Sequence, residues 1–216
     1  MGVEVKICGL TRAADAEFAD AAGAAYLGVI FAGGPRERSP ADARSTLAGR
    51  RAKRVGVFAS QSESEIADIA SVVGLHVVQL HEEADQDRVR AVRAATGLEV
   101  WVVVRTADGV LPERVDDLAE AADALLIDSL VPGALGGSGR SVPWGQLGES
   151  LDAMAAGHRI VLAGGLTPSN VAEAISYVSP MIVDVSSGVE SAPGVKDPAR
   201  IRAFIAAVRA SSEQSE

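Results

Sequence analysis

Short runs of β-branched and other apolar residues recur along the chain at residues 3–7, 25–31, 54–58, 77–80, 100–104, 124–127, 159–162 and 181–185. Each is strand-sized and apolar at nearly every position, which predicts strands buried on both faces. Between the runs the apolar positions take up helical spacing. Ile66, Ile69, Ala70 and Val73 fall at i, i+3, i+4 and i+7, as do Val171, Ala174, Ile175 and Val178, and Ile201, Phe204, Ile205 and Val208. Such a stripe is the face that a helix lays on a core. Helix starts are marked as well. Ser62 with Glu65 spells a capping box, and Thr167 before Pro168 places a cap and then a proline where a first-turn N–H has no partner. Thr11 reads as the cap of the first helix.

Eight buried strands alternating with amphipathic helices require a parallel sheet covered by helices. An open doubly wound sheet and a closed (β/α)8 TIM barrel both satisfy this. Strand starts lie 22 to 35 residues apart, and the first loop carries no G-x-G-x-x-G, so the barrel is preferred. The expected organisation is one α/β domain over residues 1–210, with a polar tail, 211–216, that frays.

Composition narrows the classes further. A 48% hydrophobic fraction excludes a disordered chain, and no unbroken apolar run reaches the roughly 18 residues that a spanning helix needs. The start, Met-Gly-Val-Glu, has no basic, apolar leader, and one cysteine makes no internal disulfide, so a reducing cytoplasmic setting is expected. A net charge of −9 argues against nucleic acid or an anionic membrane as partner. Any phosphate must be met locally.

In a barrel the loops after the strands converge on one face. Cys8 follows strand one, His81 strand four and Asp128 strand six, while strands seven and eight end in Ala163-Gly164-Gly165-Leu166 and Ser186-Ser187-Gly188. Cys8 reads either as a packed thiol or as a reactive one. Gly164, Gly165, Ser186, Ser187 and Gly188 read as a phosphate cradle or as two tight turns; adjacency in a barrel favours the cradle. Asp128 leaves a run of four apolar residues, where a dry rim favours the neutral acid, and it reads as that acid or as a loop cap. Opposite it, Cys8 would offer a base able to become thiolate. Arg36 and Arg38 are either solvated loop cations or a fork for a carboxylate. His81 reads as a hydrogen-bonded rim residue, a general acid or a ligand; three histidines without ligand spacing give no metal site. Trp144, after the glycine-rich run 133–139, reads as a helix-start aromatic or a lid anchor.

Several segments, taken in order, carry a specific resemblance: Lys6-Ile7-Cys8-Gly9-Leu10-Thr11-Arg12, Pro35-Arg36 with Ser39-Pro40, Val55-Gly56-Val57-Phe58, Val78-Gln79-Leu80-His81, Gly136-Gly137-Ser138-Gly139, Leu162-Ala163-Gly164-Gly165-Leu166, and Asp184-Val185-Ser186-Ser187-Gly188-Val189-Glu190 with Pro193-Gly194-Val195-Lys196-Asp197. Over its whole length the chain resembles the phosphoribosylanthranilate isomerases of tryptophan biosynthesis. The resemblance implies a cofactor-free Amadori rearrangement of N-(5-phosphoribosyl)anthranilate to the 1-deoxyribulose 5-phosphate isomer. It implies Asp128 as general acid at the ring oxygen, Cys8 as general base at C2, Arg36 on the anthranilate carboxylate, and Gly165, Ser187 and Gly188 on the phosphate. Asp184 and His81 would help position the substrate. Two positions depart from the family pattern: Glu82 stands where glycine is usual, placing a charge near the mouth, and Pro143 where aspartate is common.

The partner implied is a small phosphorylated molecule, bound by a monomer or a homodimer. Two other readings compete: an isomerase that also accepts the larger aminoaldose of histidine biosynthesis, and a barrel that binds phosphorylated ligands without turning them over.

Overall fold

The computed structural model describes residues 2–106, 108–128, 143–154 and 157–213. Eight parallel strands close into one ring in chain order: β1 (Glu4–Ile7), β2 (Tyr26–Ile30), β3 (Lys53–Phe58), β4 (Val77–Leu80), β5 (Glu99–Arg105), β6 (Ala124–Asp128), β7 (Ile160–Ala163) and β8 (Ile182–Val185). All eight coincide with the apolar runs of the sequence to within one or two residues at either end. The barrel expectation is met.

Helices α1 (Ala13–Ala22), α2 (Pro40–Leu47), α3 (Glu63–Val73), α4 (Gln86–Thr96), α5 (Val115–Ala121), α6 (Trp144–Asp152), α7 (Val171–Val178) and α8 (Pro198–Glu213) surround the ring. The Ser62–Glu65 capping box of α3 is present, and Ile66, Ala70 and Val73 form its buried face. Each large apolar side chain so buried stabilises the domain by roughly 1.5–3 kcal/mol. Two expected caps differ. The Thr11 hydroxyl donates to the Gly194 carbonyl, and α1 starts after Arg12 with no side-chain cap. At α7 the chain turns from Thr167, but the regular helix begins at Val171, because the Asn170 side chain reaches back to accept from the Thr167 N–H and to donate to the Gly165 carbonyl. Helix α8 runs on to Glu213, into the stretch expected to fray.

Two cores result. Residues pointing outward from the strands, such as Leu27, Val78, Val102 and Leu162, pack under the helices. Inward-pointing residues fill the ring with a separate cluster that includes Tyr26, Val55, Val77, Trp101, Leu126, Val161 and Ile182. Because strand side chains alternate, two residues further along the same parity carries this interior to the carboxyl ends of the strands. There it changes character, to Lys6, Gln79, Asp128 and Asp184.

After β8 the chain makes a 3₁₀ turn (Ser187–Val189) and a small antiparallel hairpin of β9 (Glu190–Ala192) and β10 (Val195–Lys196) before α8. Sequence periodicity gave no sign of this hairpin. Strands of three and two residues carry too few positions for an alternation to register.

Candidate active site

The inward parity explains which side chains meet at the mouth. On β1 it runs from Lys6 to Cys8, on β4 from Gln79 to His81, on β6 from Leu126 to Asp128, and on β8 from Asp184 to Ser186. Lys6 is paired in register with Asp184 across the β1–β8 seam. Its fully buried ammonium donates to Asp184 Oδ2 at 2.6 Å. Burial alone would lower the Lys6 pKa, but the charges of Asp184 and Cys8 outweigh it and hold the ammonium above its ordinary value. A buried lysine that keeps its charge is a fixed positive pole.

Cys8 is buried and free, with its backbone N–H bonded to the Val185 carbonyl at 2.9 Å. Burial pushes its thiol up from the ordinary value, and Asp184 adds to this; Lys6 and Lys196 pull it down without cancelling the rise. The resting group is therefore a thiol at neutral pH. Lys6 stands close enough to hydrogen-bond the sulfur.

Asp128 ends β6, three steps round the ring from β1 by way of β8 and β7, and is half-buried. His81 senses Asp128, Asp184, Lys6 and Arg105 at once, so these groups share one electrostatic neighbourhood. Burial, with Arg105 next, holds the imidazole below its ordinary pKa and hence neutral at pH 7. His81 Nδ1, Gln79 Oε1 and Asp184 Oδ1 are buried with no protein partner among the described residues. Buried polar atoms of this kind are uncommon, and three of them cluster at this mouth.

The two glycine loops meet. Gly164 and Gly165 have φ of +95° and +63°. Gly188 has no room for a side chain: a Cβ there would lie 1.9 Å from the Leu166 carbonyl oxygen. The β7 and β8 loops thus touch backbone to backbone, with Gly164, Gly165, Ser186, Ser187 and Gly188 on one lip.

Arg36 is not a solvated cation. Its Nε and Nη2 donate to Glu190 Oε1 and Oε2 at 2.8 and 2.6 Å, a bidentate pair. It reaches Glu190 by crossing the β1 loop over Gly9, where a Cβ would stand 2.6 Å from Arg36 Cδ and 2.9 Å from Ser186 Oγ. Arg38 does not join it; that side chain lines a separate cleft with Phe31, Pro40 and Gln61. The Glu82 carboxylate is paired, accepting from Arg88 Nε at 2.9 Å on the α4 side. Trp144 is the buried first residue of α6, and Pro143 caps that helix with its carbonyl. The run 133–139 lies outside the described residues.

Four features escaped the sequence reading: Lys6, Glu190, Lys196 and Arg105, whose Nη2 donates to the His81 carbonyl at 2.8 Å. Lys6 had a usable signal, a charge midway along a strand and flanked by the apolar Val5 and Ile7.

Comparison with known proteins places this architecture. The family profile for N-(5'phosphoribosyl)anthranilate (PRA) isomerase matches residues 5–207. The chain belongs to the N-(5'-phosphoribosyl)anthranilate isomerase family. It is 44% identical over 216 residues to the N-(5'-phosphoribosyl)anthranilate isomerase of Paracoccus denitrificans, covering 95% of this chain and 97% of that one. The phosphoribosyl anthranilate isomerase of Thermotoga maritima superposes with a TM-score of 0.85 at 37% identity, covering 96% of this chain and 99% of that one. A phosphoribosyl anthranilate isomerase in complex with reduced 1-(o-carboxyphenylamino)-1-deoxyribulose 5-phosphate superposes at 0.83 with 34% identity, covering the same shares. The protein is thus an isomerase of tryptophan biosynthesis, and the mouth described above is where its chemistry is to be sought.

Proposed function

We propose that this isomerase converts N-(5-phosphoribosyl)anthranilate to 1-(2-carboxyphenylamino)-1-deoxyribulose 5-phosphate by two proton transfers, with Asp128 as general acid and Cys8 as general base. Asp128 gives a proton to the ribose ring oxygen. The bond from that oxygen to C1 breaks, and the anthranilate nitrogen lone pair forms a protonated Schiff base. Cys8, as thiolate, then takes the C2 proton; the C2–H electrons form a C1–C2 double bond and the nitrogen becomes neutral. The resulting enolamine tautomerises to the ketone. Each transfer by a positioned group contributes about 10² to 10⁴ in rate.

The single observation that carries this reading is Cys8 facing the Lys6–Asp184 pair on the same inward-pointing interior that ends in Asp128. A burial-raised thiol is a poor base at rest, but Lys6 and Lys196 supply the positive field a thiolate needs. The cationic Schiff base of the first step adds to that field, so the base is activated after ring opening. The orphaned Asp184 Oδ1 and His81 Nδ1 fit sugar hydroxyls. Gly164, Gly165, Ser186, Ser187 and Gly188 would take the 5-phosphate on backbone and hydroxyl donors, and Arg36 the aryl carboxylate. No step calls on a cofactor. The enzyme would act as a monomer or a homodimer. We place the activity in the cytoplasm, where a lone buried thiol stays reduced.

Single-turnover kinetics with substrate deuterated at C2 tests the roles. Cys8→Ser should slow turnover and bring out a primary isotope effect, because the step that breaks the C2–H bond becomes limiting. Asp128→Asn should slow ring opening and suppress that effect. Near-normal turnover by either variant overturns its assignment.

A further inference from the structure

Arg36, Glu190 and Lys196 form a chain of charges running from the mouth into the protein. Glu190 Oε1 accepts from both Arg36 Nε and Lys196 Nζ at 2.8 Å, and Lys196 Nζ also donates to the Ser186 carbonyl at 3.1 Å. Side-chain exposure falls along it from 24% at Arg36 to 5% at Glu190 and 0% at Lys196, so Arg36 is the end that meets a ligand. The other charges nearby are Asp15, which accepts from the Lys196 backbone N–H and lies beside Arg12, and Arg200, which donates to the Glu190 carbonyl and lies beside Asp197. The trio itself holds two cations and one carboxylate. One positive charge is left over.

A guanidinium has two bidentate edges. Glu190 occupies the Nε–Nη2 edge, and among the described residues nothing hydrogen-bonds the Nη1–Nη2 edge. The pair with Glu190 fixes where the side chain lies, and Gly9 leaves room for it, since any Cβ there would collide with Arg36 Cδ. A long, flexible arginine is thereby held in one rotamer before substrate arrives, and its ordering is not charged against binding.

We propose that Glu190 is a positioning residue and specificity determinant of the isomerase: it clamps Arg36 by one edge so that the other receives the aryl carboxylate, while Lys196 ties the clamp to the phosphate loop at Ser186. The inference rests on Arg36 as the carboxylate site. Its consequence is that the groups for the two ends of the substrate are one hydrogen-bonded unit, Arg36–Glu190–Lys196–Ser186, of set length. Adducts are then selected by the presence and reach of their carboxylate.

The test compares phosphoribosylanthranilate with the phosphoribosyl adduct of aniline, which lacks the carboxylate, on the same enzyme samples. Glu190→Gln should raise KM for the anthranilate adduct by about tenfold or more, as expected for loss of a charge-assisted bidentate pair. Any loss that passes through Lys196, which Glu190 also holds, should fall on both adducts alike, so the reading is the KM penalty on the anthranilate adduct beyond that on the aniline adduct. The ratio of kcat/KM values on the two adducts cancels any difference in folded fraction. Glu190→Asp, which keeps the charge but withdraws it by one methylene, should lose the same discrimination. In an Arg36→Met background, Glu190→Gln should add nothing to that difference. Equal penalties on both adducts, or an undiminished penalty without Arg36, would overturn the proposal while leaving Arg36 as the carboxylate site. If Arg36→Met itself fails to distinguish the adducts, the carboxylate reading of Arg36 falls, and the proposal with it.

Discussion

The two ends of this barrel are built from the same kinds of side chain and put them to opposite use. At the amino end of the strands, Tyr26 and Trp101 meet edge to face with centroids 5.1 Å apart, and the Arg159 guanidinium lies 5.6 Å from both rings. Glu99 accepts from Lys53 at 2.8 Å and from Arg159 at 3.1 Å, and Glu4 lies against Arg159 at 3.4 Å. Each of those four charges has an opposite partner, and an aromatic plug backs them. At the carboxyl end, Lys6, Lys196, Arg36 and Arg105 stand among Asp128, Asp184 and Glu190, and polar atoms of Gln79, His81 and Asp184 are buried without protein partners. Paired charges can be left alone for stability. One cation in excess of the carboxylates, on a chain of net charge −9, puts positive charge at the end where an anionic substrate would enter.

The comparison is broken most strongly at Cys8 and Asp128. Cys8→Ala or Asp128→Asn should lower kcat by about 10² to 10⁴ while the thermal midpoint stays near that of the parent; activity assays and melting curves on the same samples check it. Next comes the opposite end. Trp101→Ala empties the plug and should cost about 3–5 kcal/mol of unfolding free energy in a urea titration, with turnover per folded molecule unchanged. Asp184→Asn sharpens the contrast by crossing it. Leaving the Lys6 ammonium buried without its carboxylate should cost about 3–5 kcal/mol and slow the reaction too, because the pole facing Cys8 is no longer anchored. A wild-type melting midpoint in Asp184→Asn would contradict the buried pair.

The smallest effect is in pH. Because the folded state holds the Cys8 thiol above its ordinary value, the free enzyme gains thiolate only as pH rises beyond that value, so kcat/KM should climb on the alkaline side and the climb should vanish in Cys8→Ala. The sign for stability is the reverse. Above the ordinary thiol pKa the unfolded chain loses its proton first, so unfolding free energy should fall with pH by an amount that Cys8→Ala removes.

Much of this architecture was legible in the sequence. Strands buried on both faces announce themselves as apolar runs, and residues 77–80 match β4 without change. Cys8, His81 and Asp128 were legible because strand-end residues of a barrel share a face, and Asp184 through the family resemblance. The hidden part is what depends on partners distant in sequence. Nothing near Arg36 signals that Glu190 will seize it, 154 positions away, and nothing at Thr11 signals that its hydroxyl will leave the helix for Gly194, 183 positions away. The Cys8 pKa was hidden for the same reason: it sets burial and an aspartate against two lysines that only the closed ring brings together.

The central claim is that catalysis lives at one end and stability at the other. The direct measurement follows the loss of phosphoribosylanthranilate fluorescence for Cys8→Ala and Trp101→Ala, each normalised to the fraction folded at the assay temperature. The account predicts turnover abolished in the first and retained in the second. Retained turnover without the thiol, or turnover lost with the amino-end plug in a folded protein, would contradict it.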